Sequence, residues 1–331
     1  MFQTPSLVVL ATLAAATPAQ EPQQHEPWIF KVQRGDGSWS ASAVPKGVEA
    51  FSPGSATDDV VVTSLVTLSC LGAGDTPSVG PHHESVGRAL DWLLEEQADD
   101  GRLAATTSPT FLADHAIATL ALSEAAYLDG GSRYRLAAKA AVSYLERTPL
   151  EGGGWSATGA ADGAIDFRST SWATLALASA RDAEIGERPE LIAAAAWRLR
   201  QEGTRIEDRP PREVAFELLT RLIAGENTSA SSEFKERATK LLALPIAWTE
   251  DGKGFDPERV YVQSIVAYQS GGELWKRWQK TMKKTSVDMG KRETQRLIVD
   301  ADLPGGSLAG YAYSALTLEI YFRYARVIGA R

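Results

Sequence analysis

Gln33-Arg34-Gly35-Asp36-Gly37-Ser38-Trp39 sets the pattern for the rest of the chain. Its glycine turn returns as Asp99-Asp100-Gly101-Arg102-Leu103, Gly152-Gly153-Gly154-Trp155, Glu202-Gly203-Thr204, Glu250-Asp251-Gly252-Lys253-Gly254-Phe255 and Pro304-Gly305-Gly306-Ser307-Leu308. The intervals are roughly fifty to sixty residues, the range in which self-similarity signals a repeat architecture.

Between turns the sequence reads as pairs of amphipathic helices. Thr110 to Tyr127 and Ser132 to Arg147 form the clearest pair, with apolar residues recurring every three or four positions. Asp129-Gly130-Gly131 supplies the break between them. Further pairs are expected over 58–70 and 83–96, 168–180 and 189–201, 212–224 and 233–242, and 257–268 and 273–284. A last helix, 309–327, has no partner after it. The first helix of each pair is the more apolar and the second carries the charges, so the first should be covered on more sides. The expected fold is therefore all-α, an α/α toroid of about six helix hairpins with inner and outer helix rings, in one domain over 28–331. The aromatic end of the chain, Tyr311 to Tyr324, suits closure of such a ring.

Bulk properties narrow the function. The chain has 331 residues, 44% of them hydrophobic, enough for a core that needs no staples. A net charge of −8 argues against nucleic-acid binding, which needs a basic field. The lone cysteine, Cys70, allows no internal disulfide and sits in an apolar run, as a buried small residue would. Residues 1–19 hold a short apolar stretch followed by small residues, the pattern of a cleaved signal peptide, so the protein is expected to be exported to the periplasm or cell exterior. No later segment is expected to span a membrane.

The turns carry a family resemblance. Gln33, Gly37 and Trp39 match the Gln-x3-Gly-x-Trp motif of the prenyltransferase and squalene-cyclase repeat. Gln97 and Gly101 match it with Leu103 in place of Trp, and Gly153 and Trp155 match it with Pro149 in place of Gln. The chain resembles this family from about Trp28 to Ile328, in a branch of short exported repeat proteins found in planctomycete-like bacteria and tied to no particular reaction. The motif speaks for architecture: glycine for a sharp turn, glutamine for free backbone groups at a helix end, tryptophan for packing across the hairpin junction.

The chemistry that such toroids carry elsewhere is not legible here. The resemblance would bring an Asp-x-Asp-Asp acid in a cyclase, a zinc-binding Asp, Cys and His set in a protein prenyltransferase, or a Cys-Gly-Glu-Gln thioester. None occurs in this sequence, and neither a metal nor a cofactor is expected. The first-helix N-termini should gather Asp58, Asp59, Asp114, His115, Asp166, Arg168, Glu213, Asp256 and Arg259 at the mouth of the ring. Asp114, His115 and Asp166 are the candidate catalytic residues, since paired acids or an acid beside an imidazole can move protons. Asp58, Asp59, Arg168, Trp172, Arg259, Tyr261, Tyr311 and Tyr313 are candidates for lining the cavity. The bland alternatives are helix-end acids, salt bridges and core aromatics. The expected role is binding or scaffolding in the toroid concavity, with an apolar small molecule, a peptide or a glycan as partner. The alternative is an enzyme acting on an isoprenoid-like lipid or a glycan through acids at the mouth.

Overall fold

The computed structural model describes residues 28–43, 53–202, 209–227, 229, 231–244, 246, 254–291, 298–299 and 303–327. The expected signal peptide over 1–19 and the turns at Gly203 and Gly252 lie outside the described residues. The chain divides into two units, Met1–Val32 and Gln33–Arg331. The described part of the first is one short helix, α1 (Trp28–Lys31).

The second unit holds eleven further helices among the described residues. They are α2 (Asp59–Ala73), α3 (His83–Glu95), α4 (Phe111–Asp129), α5 (Ser132–Arg147), α6 (Phe167–Asp182), α7 (Pro189–Glu202), α8 (Pro211–Ile223), α9 (Ser232–Ala243), α10 (Pro257–Ser270), α11 (Gly272–Lys291) and α12 (Gly306–Val327). A 3-10 turn, Ala56–Asp58, leads into α2. The described residues are all-helical apart from a parallel pair of two-residue strands, β1 (Gly254–Phe255) and β2 (Ile298–Val299).

Local chemistry explains the helix ends. Asp166, Ser231 and Asp256 accept from the backbone N–H groups of Ser169, Phe234 and Arg259 at 2.7, 3.1 and 2.9 Å, capping α6, α9 and α10. Pro211 and Pro257 open their helices, where a missing N–H costs little. Gly74 and Gly130 close α2 and α4 in the left-handed conformation.

Burial separates the two helices of each pair. α4 is buried continuously from Phe111 to Ala126, and α6 from Phe167 to Ala180. By contrast α3 buries one stripe, Val86, Ala89, Leu90 and Leu93, and α7 buries Ile192, Ala195, Ala196 and Leu199. Several hydroxyls inside the enclosed helices are satisfied by the preceding turn, as in Thr119 to His115 O at 2.8 Å and Thr174 to Thr170 O at 2.7 Å. The first helices pack in sequence, α2 on α4, α4 on α6, α6 on α8, α8 on α10 and α10 on α12, and α12 packs on α2. Each of α5, α7 and α9 packs against its own first helix and the next one.

The stretch Ala56–Ala73 is long and apolar enough, by length and composition, to cross a membrane, and 67% of it is buried inside the protein. α2 contacts α3, α4 and α12, so it needs apolar residues all round.

The glycine turns around Gly37, Gly101 and Gly153 share one geometry. Arg34, Ala98 and Leu150 donate to the carbonyls of Ser38, Arg102 and Gly154 at 2.8, 3.0 and 2.8 Å. Gly37, Gly101 and Gly153 adopt φ of 97°, 90° and 102°. A Cβ on Gly101 would lie 2.2 Å from the Ala140 carbonyl oxygen on α5. The Gln97 amide donates to Gly101 O at 3.1 Å and Ala137 O at 3.0 Å, and Gln33 donates to Gly37 O at 2.8 Å and Ser85 O at 2.9 Å. Each glutamine thus clips its own turn to the next second helix, α3 or α5. Trp39 and Trp155 are fully buried behind the turns.

Candidate functional site

The N-terminal ends of α4, α6, α8 and α10 bring charged residues together around Glu258. This residue is fully buried. Its Oε1 accepts from Arg168 Nε at 2.8 Å, Trp172 Nε1 at 2.9 Å and Tyr313 Oη at 2.9 Å. Its Oε2 lies 3.1 Å from Arg212 Nη2. Burial opposes the Glu258 charge, but Arg168 and then Arg212 outweigh it and hold the carboxyl below its usual range. Burial also opposes the charge on Arg168, and Glu258 overcomes it, holding the guanidinium well above its usual range. Burial, then the Glu258 charge, pushes the Tyr313 hydroxyl well up, which keeps it a donor.

Three aromatic rings close the space beneath. Trp172, Tyr261 and Tyr313 lie with centroids 6.1, 6.2 and 6.0 Å apart. None is more than 1% exposed, so no water-sized space touches them. Expected as cavity lining, they instead fill the interior that the first helices share. Three large side chains meeting at one level leave no open space between them there. Tyr311 is 38% exposed and belongs to another face of α12.

Asp114 is buried beside this cluster. Its Oδ2 accepts from Ser108 Oγ at 3.0 Å and Thr110 Oγ1 at 2.8 Å, and its Oδ1 lies 3.4 Å from Arg168 Nη1. Burial raises its pKa despite Arg168. His115, next to it in sequence, serves other partners. Its Nδ1 accepts the Leu103 N–H at 3.0 Å, and its Nε2 donates to Ala141 O at 3.2 Å. Burial pulls its pKa down to about 4, so the ring is neutral. Thr63 and Thr170 do the same work in the neighbouring turns, accepting the Trp39 and Trp155 N–H groups at 3.0 Å. His115 is thus the second turn's version of a repeated structural acceptor.

The remaining candidates are distributed as follows. Asp166 caps α6. Asp58 Oδ2 accepts from Ser55 N and Gly305 N, both at 2.9 Å, joining the start of α2 to the turn before α12. Asp59 accepts from Ala41 N and pairs with Arg34, both at 2.8 Å. Asp256 pairs with Arg212 at 2.9 Å, and burial raises its pKa against that attraction. Glu258 Oε1 and both Asp114 oxygens are committed to protein donors, and Glu258 Oε2, without a hydrogen bond, faces the Arg212 charge; this is the state of structural ion pairs rather than of an acid–base couple facing a substrate.

A cleft of about 550 Å³ opens beside the cluster, between the starts of α6 and α8. Ala164, Asp166, Arg168, Arg198, Arg209, Arg212, Glu213 and Phe216 are among its walls. Arg209 lies over the Phe167 ring at 4.6 Å and pairs with Glu213 at 2.8 Å, and Arg198 pairs with Glu202 at 3.1 Å.

Sequence reasoning did not single out Glu258 or Arg212 as site residues. Glu258 leaves a trace: with Tyr261 and Ile265 it forms one buried stripe at helical spacing, an acid where an apolar residue is the norm. Among the described residues, no group of three or more His, Cys, Asp or Glu is placed to hold a metal ion. Cys70 is buried, and burial pushes its thiol up to about 12. In comparisons with known proteins, no family model and no curated protein matches this chain.

Proposed function

We propose that this chain is an exported α/α-toroid repeat protein that works as a binding or scaffold module and meets its ligand at the mouth of the ring. The observation that carries the reading is the occupied interior: Trp172, Tyr261 and Tyr313 fill it under a Glu258 that three donors hold. A lipid substrate inside the ring would have to displace that packing. The cyclic order of first-helix contacts and the shared geometry of the glycine turns support the toroid. The charged walls of the cleft favour a glycan or peptide over an isoprenoid-like lipid.

A thermal-shift panel of glycans, short peptides and small lipids tests the reading on the chain from Gln20 onward. Ala164 is an exposed cleft residue, and Ala164→Trp blocks the cleft without entering the core. Compounds that raise the melting temperature of the native chain should lose their effect on the blocked variant. Hits that shift both proteins equally place binding elsewhere and refute the mouth as the site. Production in an exporting host, followed by N-terminal sequencing, checks export: the expected start lies near Gln20, and an intact Met1 would contradict it.

A further inference from the structure

We propose that the groove between α11 and α12 docks an amphipathic helix of a partner protein, one whose apolar stripe is flanked by acids. This surface is separate from the mouth cleft, with which it shares no wall residue.

The repeat indicates what shape belongs there. α5, α7 and α9 each pack on two successive first helices, whereas α3 and α11 pack chiefly on their own. Beside α11 this leaves the step from α10 to α12 open, as a groove of about 660 Å³. Trp275, Trp278 and Met282 line it from α11, Thr317 and Leu318 from α12, and Ser264 from α10. In the preceding step, from α8 to α10, the corresponding position is filled by a helix, α9.

The walls are apolar and only partly covered. Trp278 is 1% exposed, its Nε1 donating to Ser264 Oγ at 2.7 Å, and Trp275 and Met282 pack half-buried beside it. Across the groove Leu318 is 70% exposed, and Tyr311, seven residues earlier on the same face of α12, is 38% exposed. An incoming helix with apolar residues three and four apart would cover both sides.

The rim selects the sign of charge. Lys276 and Lys280 stand in the walls, both exposed, and Arg277 is exposed next to them. α11 holds six cations and two acids in a chain whose net charge is −8. Lys276 meets Glu273 at 3.0 Å in an exposed pair that holds it weakly, and Lys280 has no ion pair among the described residues. Acids flanking a partner's apolar stripe complement this rim. A bilayer surface fits less well: a helix lying on one turns its tryptophans to the lipid, and α11 turns Trp278 into the core.

Calorimetric titration of the full chain tests the proposal with a designed helical peptide of about 20 residues, leucine at every third or fourth position and glutamate on the flanks. Its counterpart carries lysine in place of each glutamate. The acidic peptide should bind with a Kd of about 100 μM or tighter, and the basic one at least about tenfold more weakly. Leu318→Glu should weaken the acidic peptide about tenfold. Lys276→Glu combined with Lys280→Glu should reverse the preference between the two peptides. These side chains are exposed, so the melting temperature of each variant should stay within about 2 °C of the native value. No binding, equal affinity for both peptides, or affinity that these variants leave unchanged overturns the proposal. Ala164→Trp, which blocks the mouth, should leave peptide affinity as it is; loss of binding there assigns the peptide to the mouth and overturns the groove. Light scattering and vesicle flotation test the rival occupants. A dimer that Leu318→Glu dissociates would assign the groove to a second copy of the chain, and binding to phosphatidylglycerol vesicles that Lys280→Glu abolishes would assign it to a membrane surface. Either result overturns the partner helix.

Discussion

His115 shows how a suggestive residue is absorbed by the fold. Both ring nitrogens are occupied by backbone groups, and burial holds the pKa near 4 against an ordinary 6.5. The folded value is depressed, so the neutral ring's contribution to stability is complete above pH 6.5 and is lost as pH falls towards 4. The unfolded chain binds the extra proton in that window, and the loss amounts to about 3 kcal/mol. Denaturant unfolding of native protein and His115→Asn, each at pH 7 and pH 4.5, checks this: the native chain should lose more stability than the variant, and equal losses would sink the assignment. Gly101 is as constrained in a different way. Its φ is 90°, and a methyl carbon added there would lie 2.2 Å from Ala140 O, so Gly101→Ala should cost about 3 kcal/mol or more. Gly35→Ala in the first turn, where nothing lies within 4 Å, should cost far less, and similar losses would contradict this difference in packing. Cys70, with its thiol raised to about 12, should resist a thiol reagent at pH 8 until the protein unfolds. Rapid labelling of folded protein would contradict its burial.

At the scale of elements, the periodic helices were the most legible part of the chain. Ser132–Arg147 agrees at both ends with its sequence reading, because Gly130-Gly131 and the apolar stripe are local signals. α11 runs on to Lys291, beyond the expected Lys284, since no proline or glycine occurs between Lys284 and Gly290. The strand pair β1–β2 left no signal, being two residues long and paired over more than forty positions. The glycine and tryptophan roles were also readable, and the glutamine role in part: its bonding to backbone groups was expected, but its second acceptor lies on the next second helix, which sequence spacing does not disclose. Glu258 was hidden for the same reason. An acid in a first turn reads as a dipole complement, and only its partners on α6, α8 and α12 reveal the cluster. Gln97→Ala removes two hydrogen bonds and should cost about 1–3 kcal/mol by chemical denaturation. No loss of stability would mean that the clip between turn and α5 does not hold the repeat.

Across the whole molecule, first helices pack in order and the last returns to the first, with Asp58 bonding Gly305 at 2.9 Å over a separation of 247 residues. Asp58→Ala should cost about 1–3 kcal/mol and speed amide exchange at Gly305 and the start of α12, leaving α5 protected. Uniform exchange across both regions would argue against a local junction there. The interior around Glu258, in turn, is occupied by the protein's own aromatic rings, and the proposed module would therefore meet its ligand outside that packing. Native mass spectrometry with lipid extraction, on the chain from Gln20 onward, measures that occupancy. A filled interior should give the protein mass alone and no lipid above trace level. A near-stoichiometric isoprenoid or other lipid would contradict it.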